Sequence, residues 1–322
     1  MPNESVSVPE YTTYPRRFLS YRWFKPLLVA LVSALAYLIL VLVLIVGCLV
    51  IDYITGADHF SALQGGYDTL DAYSAVGALL TLGSIAYMIP ALLIGALIVR
   101  DRPFSSYGSS RGGWDFSVFF RCLGGALLLC GVPVLVQSIF FDEPTGVVRF
   151  TVVGFILCTI LTPLQCAAEE YLFRGFLMQT FGSWFRLPIL AIVLQAAAFA
   201  SQHPYNMVGV FVILLDGICF GIVAWYTKGL EAGTALHVVN NMTAFYATGF
   251  GFGSIGTEID VSSIFWTLGI DVAYLLFLML LGKRRGWFGR VRRDDAAEFN
   301  AAVEAQRARK AARREARLAK KD

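Results

Sequence analysis

Apolar runs of membrane-crossing length alternate with short polar stretches along most of the chain, and this pattern predicts a bundle of helices. The runs cover about residues 27–50, 74–99, 122–140, 188–203, 207–226 and 262–281. A further span starts near Arg149 and ends at Glu169, and another holds the stretch from Thr234 to Asn241. At ~1.5 Å of rise per residue, roughly 20 apolar residues cross a ~30 Å hydrocarbon layer. The expected fold class is therefore all-α, a polytopic membrane bundle of about eight transmembrane helices. Pro90 predicts a kink in the second span, and Pro204 a stop after the fifth. Gly175, Gly182 and Pro188 mark a segment over 175–188 that bends or lies in the interface. Gly217 and Gly221 are spaced for close approach of a neighbouring helix.

Composition agrees with the pattern. Of 322 residues, 57% are hydrophobic and 15% charged, and the mean hydropathy is +0.64, which excludes an ordinary soluble domain. The net charge of +3 hides a basic tail from Lys283 onward and a more acidic remainder. Arg16, Arg17, Arg22 and Lys25 precede the first span, and Arg100, Arg102, Arg111, Arg121 and Lys228 fall in alternate loops. Asp52, Asp58, His59, Asp68 and Asp71 occupy one of the others, as do Asp142 with Glu143 and Glu258 with Asp260; His59 reads as a solvated loop residue. The positive-inside rule then puts both termini in the cytoplasm, and the simple layout without an organelle signal fits a bacterial plasma membrane. No cleavable signal peptide is expected, because the first apolar run is too long and lacks a small-residue cleavage site. The six cysteines lack CxxC or metal-type spacing and read as small core residues. The chain divides into a cytoplasmic segment at 1–26, spans at 27–148, a core at 149–250, a last loop and span at 251–282, and a basic tail at 283–322.

Against this apolar background the stretch from Cys166 to Arg174 stands out, with two adjacent carboxylates and an arginine. A charge near the bilayer centre costs roughly 2.5–3.5 kcal/mol on insertion scales, so three together call for a functional reason. On a helix Glu170 and Arg174 share a face at i and i+4 and can pair, while Glu169 points about 100° away and stays free. Two of the three histidines have polar or aromatic partners at the same spacing: Phe199 with His203, and His237 with Asn241. Phe199 would flank the His203 ring, and His237 and Asn241 would project together as donors to a developing oxyanion. If the helices converge, Glu169, His203, His237 and Asn241 line one cavity near the cytoplasmic side. There a partly desolvated Glu169 can serve as the base for hydrolysis of a peptide bond. Asp216 is a further polar candidate of second rank.

Taken together, Glu169-Glu170-x-x-x-Arg174, Phe199-x-x-x-His203 and His237-x-x-x-Asn241 resemble the three motifs of the CAAX protease and bacteriocin-processing family, also called the Abi family. The resemblance covers roughly residues 150–250 and no motif residue is missing. It implies a multi-helix intramembrane endopeptidase related to the type II CAAX prenyl endopeptidases. Glu169 would activate water with help from His203, and His237 with Asn241 would form the oxyanion site. Glu170, Arg174 and Phe199 would support them. The expected function is cleavage of a membrane-associated peptide or protein substrate, in CAAX-type, leader-peptide or signal-peptide processing. A non-catalytic immunity or scaffold protein that binds a peptide in the same cavity is the alternative. A transporter is disfavoured, because the chain has no internal repeat. A glutamate base with a histidine requires no cofactor. Zinc held by Glu169, His203 and His237 is the alternative, although no His-Glu-x-x-His helix is present. The other partners expected are the lipid bilayer, with anionic lipids for the basic tail, and no nucleic acid.

Overall fold

The structure, a computed structural model, describes residues 7–56, 71–252 and 258–318. Among these, the longer helices are α1 (Lys25–Thr55), α2 (Ala75–Val99), α3 (Phe116–Phe140), α4 (Val152–Phe185), α5 (Pro188–Ala200), α6 (Met207–Thr227), α7 (Glu231–Gly249), α8 (Ser262–Gly282) and α9 (Asp295–Leu318). No β-strand forms among the described residues. The fold is the expected all-α polytopic bundle. The loop reading for Asp58, His59 and Asp68 lies outside the described residues.

Six of the eight expected crossings are long and apolar enough to span a membrane, and the other two differ instructively. α5 has 13 residues and covers only ~20 Å. The run expected to reach 203 leaves the helix at Ala200, because Pro204 cannot continue it and Ser201 to His203 form a turn instead. α7 is too polar to face lipid, and its first nine residues, Glu231 to Val239, are all buried among neighbouring helices. A helix wrapped by protein needs no apolar surface.

Helix starts follow local capping chemistry. Asp115 accepts from the backbone N–H groups of Ser117 and Val118, so α3 begins six residues before its apolar run at 122. Thr151 and Asn206 cap α4 and α6 in the same way, through Gly154 and Gly209. In α2 the regular helix is interrupted at Tyr87, one turn before Pro90, in line with the predicted kink.

The largest departure concerns α4, which was expected to end near Glu169 and bend over 175–188. It runs unbroken for 34 residues to Phe185. A π-helical stretch at Tyr171–Leu177 widens the turn rather than breaking it. Glu169 therefore sits at the middle of a long helix and not at its end. Glycine at 175 serves packing here, since a Cβ would stand 2.9 Å from the Tyr107 carbonyl oxygen.

The basic loops gather at one end of the bundle. Asn300 Nδ2 donates to the Arg17 carbonyl and the Leu19 N–H donates to Asn300 Oδ1, so the segments flanking α1 and α9 dock together. Ser105 bonds Asp295, Arg111 pairs with Glu231 at 2.7 Å, and Lys228 pairs with Glu10 at 2.6 Å. Tyr11 donates to the Tyr107 carbonyl at 2.6 Å, and burial pushes its phenol well above its ordinary pKa, which keeps it a donor. At the opposite end Arg149 meets Asp71, and Asn206 meets Glu258. The separation of loops into two sets agrees with the order read from charge.

The cysteines carry no disulfide, and all but the half-buried Cys219 are buried. α5 and α6 meet where the glycines predicted. A Cβ on Gly221 would lie 2.8 Å from Gln195 Nε2 and 2.9 Å from Ile192 Cγ2. Gly221→Ala is expected to lower stability by about 1–3 kcal/mol through overpacking, measured as a loss of thermal midpoint in detergent. An unchanged midpoint would show that this contact has room to relax.

Candidate active site

One face of α4 carries Gln165 and Glu169, and the next position holds Glu170, with Arg174 one turn further on. Arg174 and Glu170 are fully buried and bond at 3.0 Å from Nη1 to Oε1. The guanidinium also lies over two phenyl rings, 4.4 Å from the centroid of Phe199 and 5.2 Å from that of Phe220. This charge is thus neutralised by one carboxylate and flanked by π-faces. Gly233 on α7 permits the approach, since a Cβ there would stand 3.1 Å from Glu170 Oε2.

His237 on α7 bridges the two carboxylates. Its Nδ1 lies 3.2 Å from Glu170 Oε1 and its Nε2 lies 3.4 Å from Glu169 Oε2. With Glu170 held as an acceptor by Arg174, Nδ1 is the donor in the first contact. Glu169 was expected to stay free, but it has His237 as its neighbour. Phe220 packs against the same imidazole, with ring centroids 5.5 Å apart.

Asn241 lies one turn along α7, and its Nδ2 donates to Gln165 Oε1 at 3.2 Å. Gln165 was not among the expected site residues. Its spacing of four from Glu169 on an otherwise apolar helix was the available signal. Asn240, also missed, donates to Asn241 Oδ1 at 3.4 Å.

His203 follows the end of α5. Its Nδ1 is 3.0 Å from the Phe199 carbonyl oxygen, which can only accept, so Nδ1 carries the proton and Nε2 of the neutral ring is an acceptor. The Phe199 ring stands edge-on to the imidazole with centroids 4.7 Å apart, the flanking expected from the sequence.

These side chains converge. Glu169, His203, His237 and Asn241 line one cavity of about 380 Å³, together with Gln165, Asn240, Tyr205 and Asp216. Phe199 forms part of the wall, and Thr81, Leu82 and Ile85 of α2 form another part, although the early spans carry no motif. Glu170 and Arg174 stand behind this lining and do not belong to it. Glu169 and His237 are 8% and 7% exposed, which leaves each a small face open to the cavity. Among the described residues no group of three His, Cys, Asp or Glu side chains is arranged to hold a metal ion.

The fold and site define an integral membrane protein of helical class, with a carboxylate, two imidazoles and a carboxamide around one internal cavity. Residues 148–243 match the family model described as type II CAAX prenyl endopeptidase Rce1-like. The match contains α4 to α6 and α7 as far as Thr243, with every expected site residue inside it. The chain is also similar to the uncharacterized protein YyaK of Bacillus subtilis (strain 168), at 27% identity over 169 residues, which is 48% of this chain and 56% of that protein. It thus spans little more than half the length of that relative. No solved structure matches the chain.

Proposed function

We propose that this chain is a glutamate-dependent intramembrane endopeptidase that hydrolyses a peptide bond in a membrane-associated peptide or protein. The observation that carries the proposal is the meeting of Glu169, His203, His237 and Asn241 around one cavity within the bundle. The Rce1-like match at residues 148–243 supports the same reaction class.

In this reading Glu169 takes a proton from water while His203 Nε2 accepts the water's other hydrogen and aims its lone pair at the scissile carbonyl. The water oxygen bonds to the carbonyl carbon, and negative charge moves to the carbonyl oxygen. Asn241 keeps one N–H on Gln165 and has a second to offer that oxygen. Carrying both ring protons, His237 gives Nδ1–H to Glu170 and has Nε2–H, beside Glu169, as the other donor. Collapse of the tetrahedral species breaks the C–N bond, and the leaving nitrogen takes the proton held by Glu169. Glu170, held by Arg174, anchors the His237 imidazolium from behind. No step needs a metal or other cofactor.

The basic end of the bundle faces the cytoplasm in this reading, and α9 lies along a membrane surface. Arg307, Arg309, Lys310, Arg313, Arg314 and Arg317 are exposed on α9 and suit anionic headgroups.

Cleavage of a fluorogenic peptide library by the detergent-purified protein, with and without a strong zinc chelator, tests the proposal. Chelator-resistant cleavage supports a metal-free glutamate mechanism, and chelator-sensitive cleavage overturns that part. A folded protein that binds peptides but cuts none would favour the immunity or scaffold role. Asn241→Ala is expected to lower the turnover rate by roughly 10²–10³-fold with little change in substrate affinity, since it removes a donor to charge that forms only in the transition state. A loss confined to affinity would assign Asn241 to substrate binding instead.

A further inference from the structure

Beside the catalytic cavity lies a second pocket of about 100 Å³ between α6, α7 and α8. Asp216 and Asn240 line both spaces, so they stand at the junction. Asp271 of α8 lines the inner pocket and is 4% exposed. It lies outside the Rce1-like region. Asp216 lines the same small pocket, and Asp271 Oδ2 is buried without a hydrogen-bond partner. Among the described residues no lysine or arginine forms an ion pair with Asp216 or Asp271. Arg174, a buried cation on the catalytic side, is bonded to Glu170.

Two carboxyl groups side by side in a low-dielectric interior are an expensive arrangement unless something positive comes between them. The pocket walls suit a cation, because Phe220 and Trp266 add aromatic surface to the two carboxyl groups and the Asn240 amide. Its volume holds roughly three waters, or the head group of one basic side chain. Trp266 also lines the wide groove between α3 and α8, so the pocket lies between that groove and the catalytic cavity.

From this juxtaposition we infer that the Asp216–Asp271 pocket is a specificity subsite that takes the ammonium or guanidinium group of a lysine or arginine in the substrate. The inference rests on the endopeptidase reading, since it places that residue beside a bond held at Glu169. The side chain enters past Asp216, pairs with Asp271 Oδ2 and lies against Trp266. Its charge replaces the missing counter-ion.

Binding separates this inference from catalysis. The full-length Glu169→Gln protein in detergent is titrated with acetyl-arginine amide and with the neutral isostere acetyl-citrulline amide. The arginine compound is expected to bind about 10- to 100-fold more tightly. Asp271→Asn should reduce that preference to less than about threefold, and Asp216→Asn, at the more open position, should weaken it as well. Equal binding of the two compounds would overturn the subsite and indicate a dyad that keeps its own proton. A preference that disappears when sodium replaces a large organic cation in the buffer would also overturn it, in favour of a metal-cation site. A charge preference in a protein that cuts no peptide would keep the subsite while the protease reading fails. Cleavage of library peptides without regard to basic residues would do the reverse.

Discussion

Glu169→Gln is expected to leave the bundle folded and to lower peptide cleavage by roughly 10²–10⁴-fold, the contribution typical of a positioned general base. The amide has nearly the volume of the carboxylate but cannot take a proton from water. Its neighbours allow the exchange. Glu169 makes one close polar contact, to His237 Nε2 at 3.4 Å, and an amide oxygen still accepts there. The strong ion pair belongs to Glu170, so the framework that holds His237 from behind is unaltered. Thermal melting and initial rates measured on the same preparation check both halves of the expectation. A folded variant with wild-type rates would remove Glu169 from the reaction.

The second large effect is expected five positions along. Arg174→Leu leaves the fully buried Glu170 carboxylate without its cation, and breaking such a pair from one side costs roughly 3–5 kcal/mol. It also removes the cation from between Phe199 and Phe220 and loosens the acceptor that fixes His237. Stability and activity should therefore fall together, unlike the Glu169 case. Glu170→Met combined with Arg174→Leu should recover much of the stability and none of the activity, because an apolar pair replaces the ion pair but cannot orient an imidazole. Melting of the two variants beside the wild type tests this, and a double variant no more stable than Arg174→Leu would contradict it.

The helical class was legible from hydropathy because lipid enforces a simple rule, that a spanning segment closes its own backbone hydrogen bonds. The quartet that meets at the cavity was legible because polar residues in such segments are few. Gln165 escaped notice because an uncharged amide stands out less than a carboxylate, although its spacing from Glu169 was in plain view. Asp271 lay hidden in the eighth span, where one carboxylate in an apolar run has no motif around it, and its meaning came only from the approach of Asp216 on α6. The length of α4 was misread for a different reason. Gly175 and Gly182 weaken a helix locally, but Arg16 donates to the Ser183 carbonyl and Trp184 donates to the Trp23 carbonyl, so tertiary contacts hold the last turns in place. Gly182 in turn permits the chain at Thr12 to pack against it. Propensity counted from neighbours in sequence cannot see a partner some 160 residues away.

On the endopeptidase proposal, the unbroken run of α4 bears on what a substrate has to do. With about 26 Å of helix before Glu169 and about 24 Å after it, that carboxylate is mounted on a rod and cannot swing toward its target. A transmembrane helix offered for cleavage keeps each carbonyl in its own hydrogen bond, shielded from attack. On that proposal the peptide, rather than the bundle, is the partner that deforms. Segments with a glycine, proline or asparagine near the scissile bond unwind at least cost, so susceptibility to cutting becomes a property of how readily a substrate helix melts as well as of its sequence.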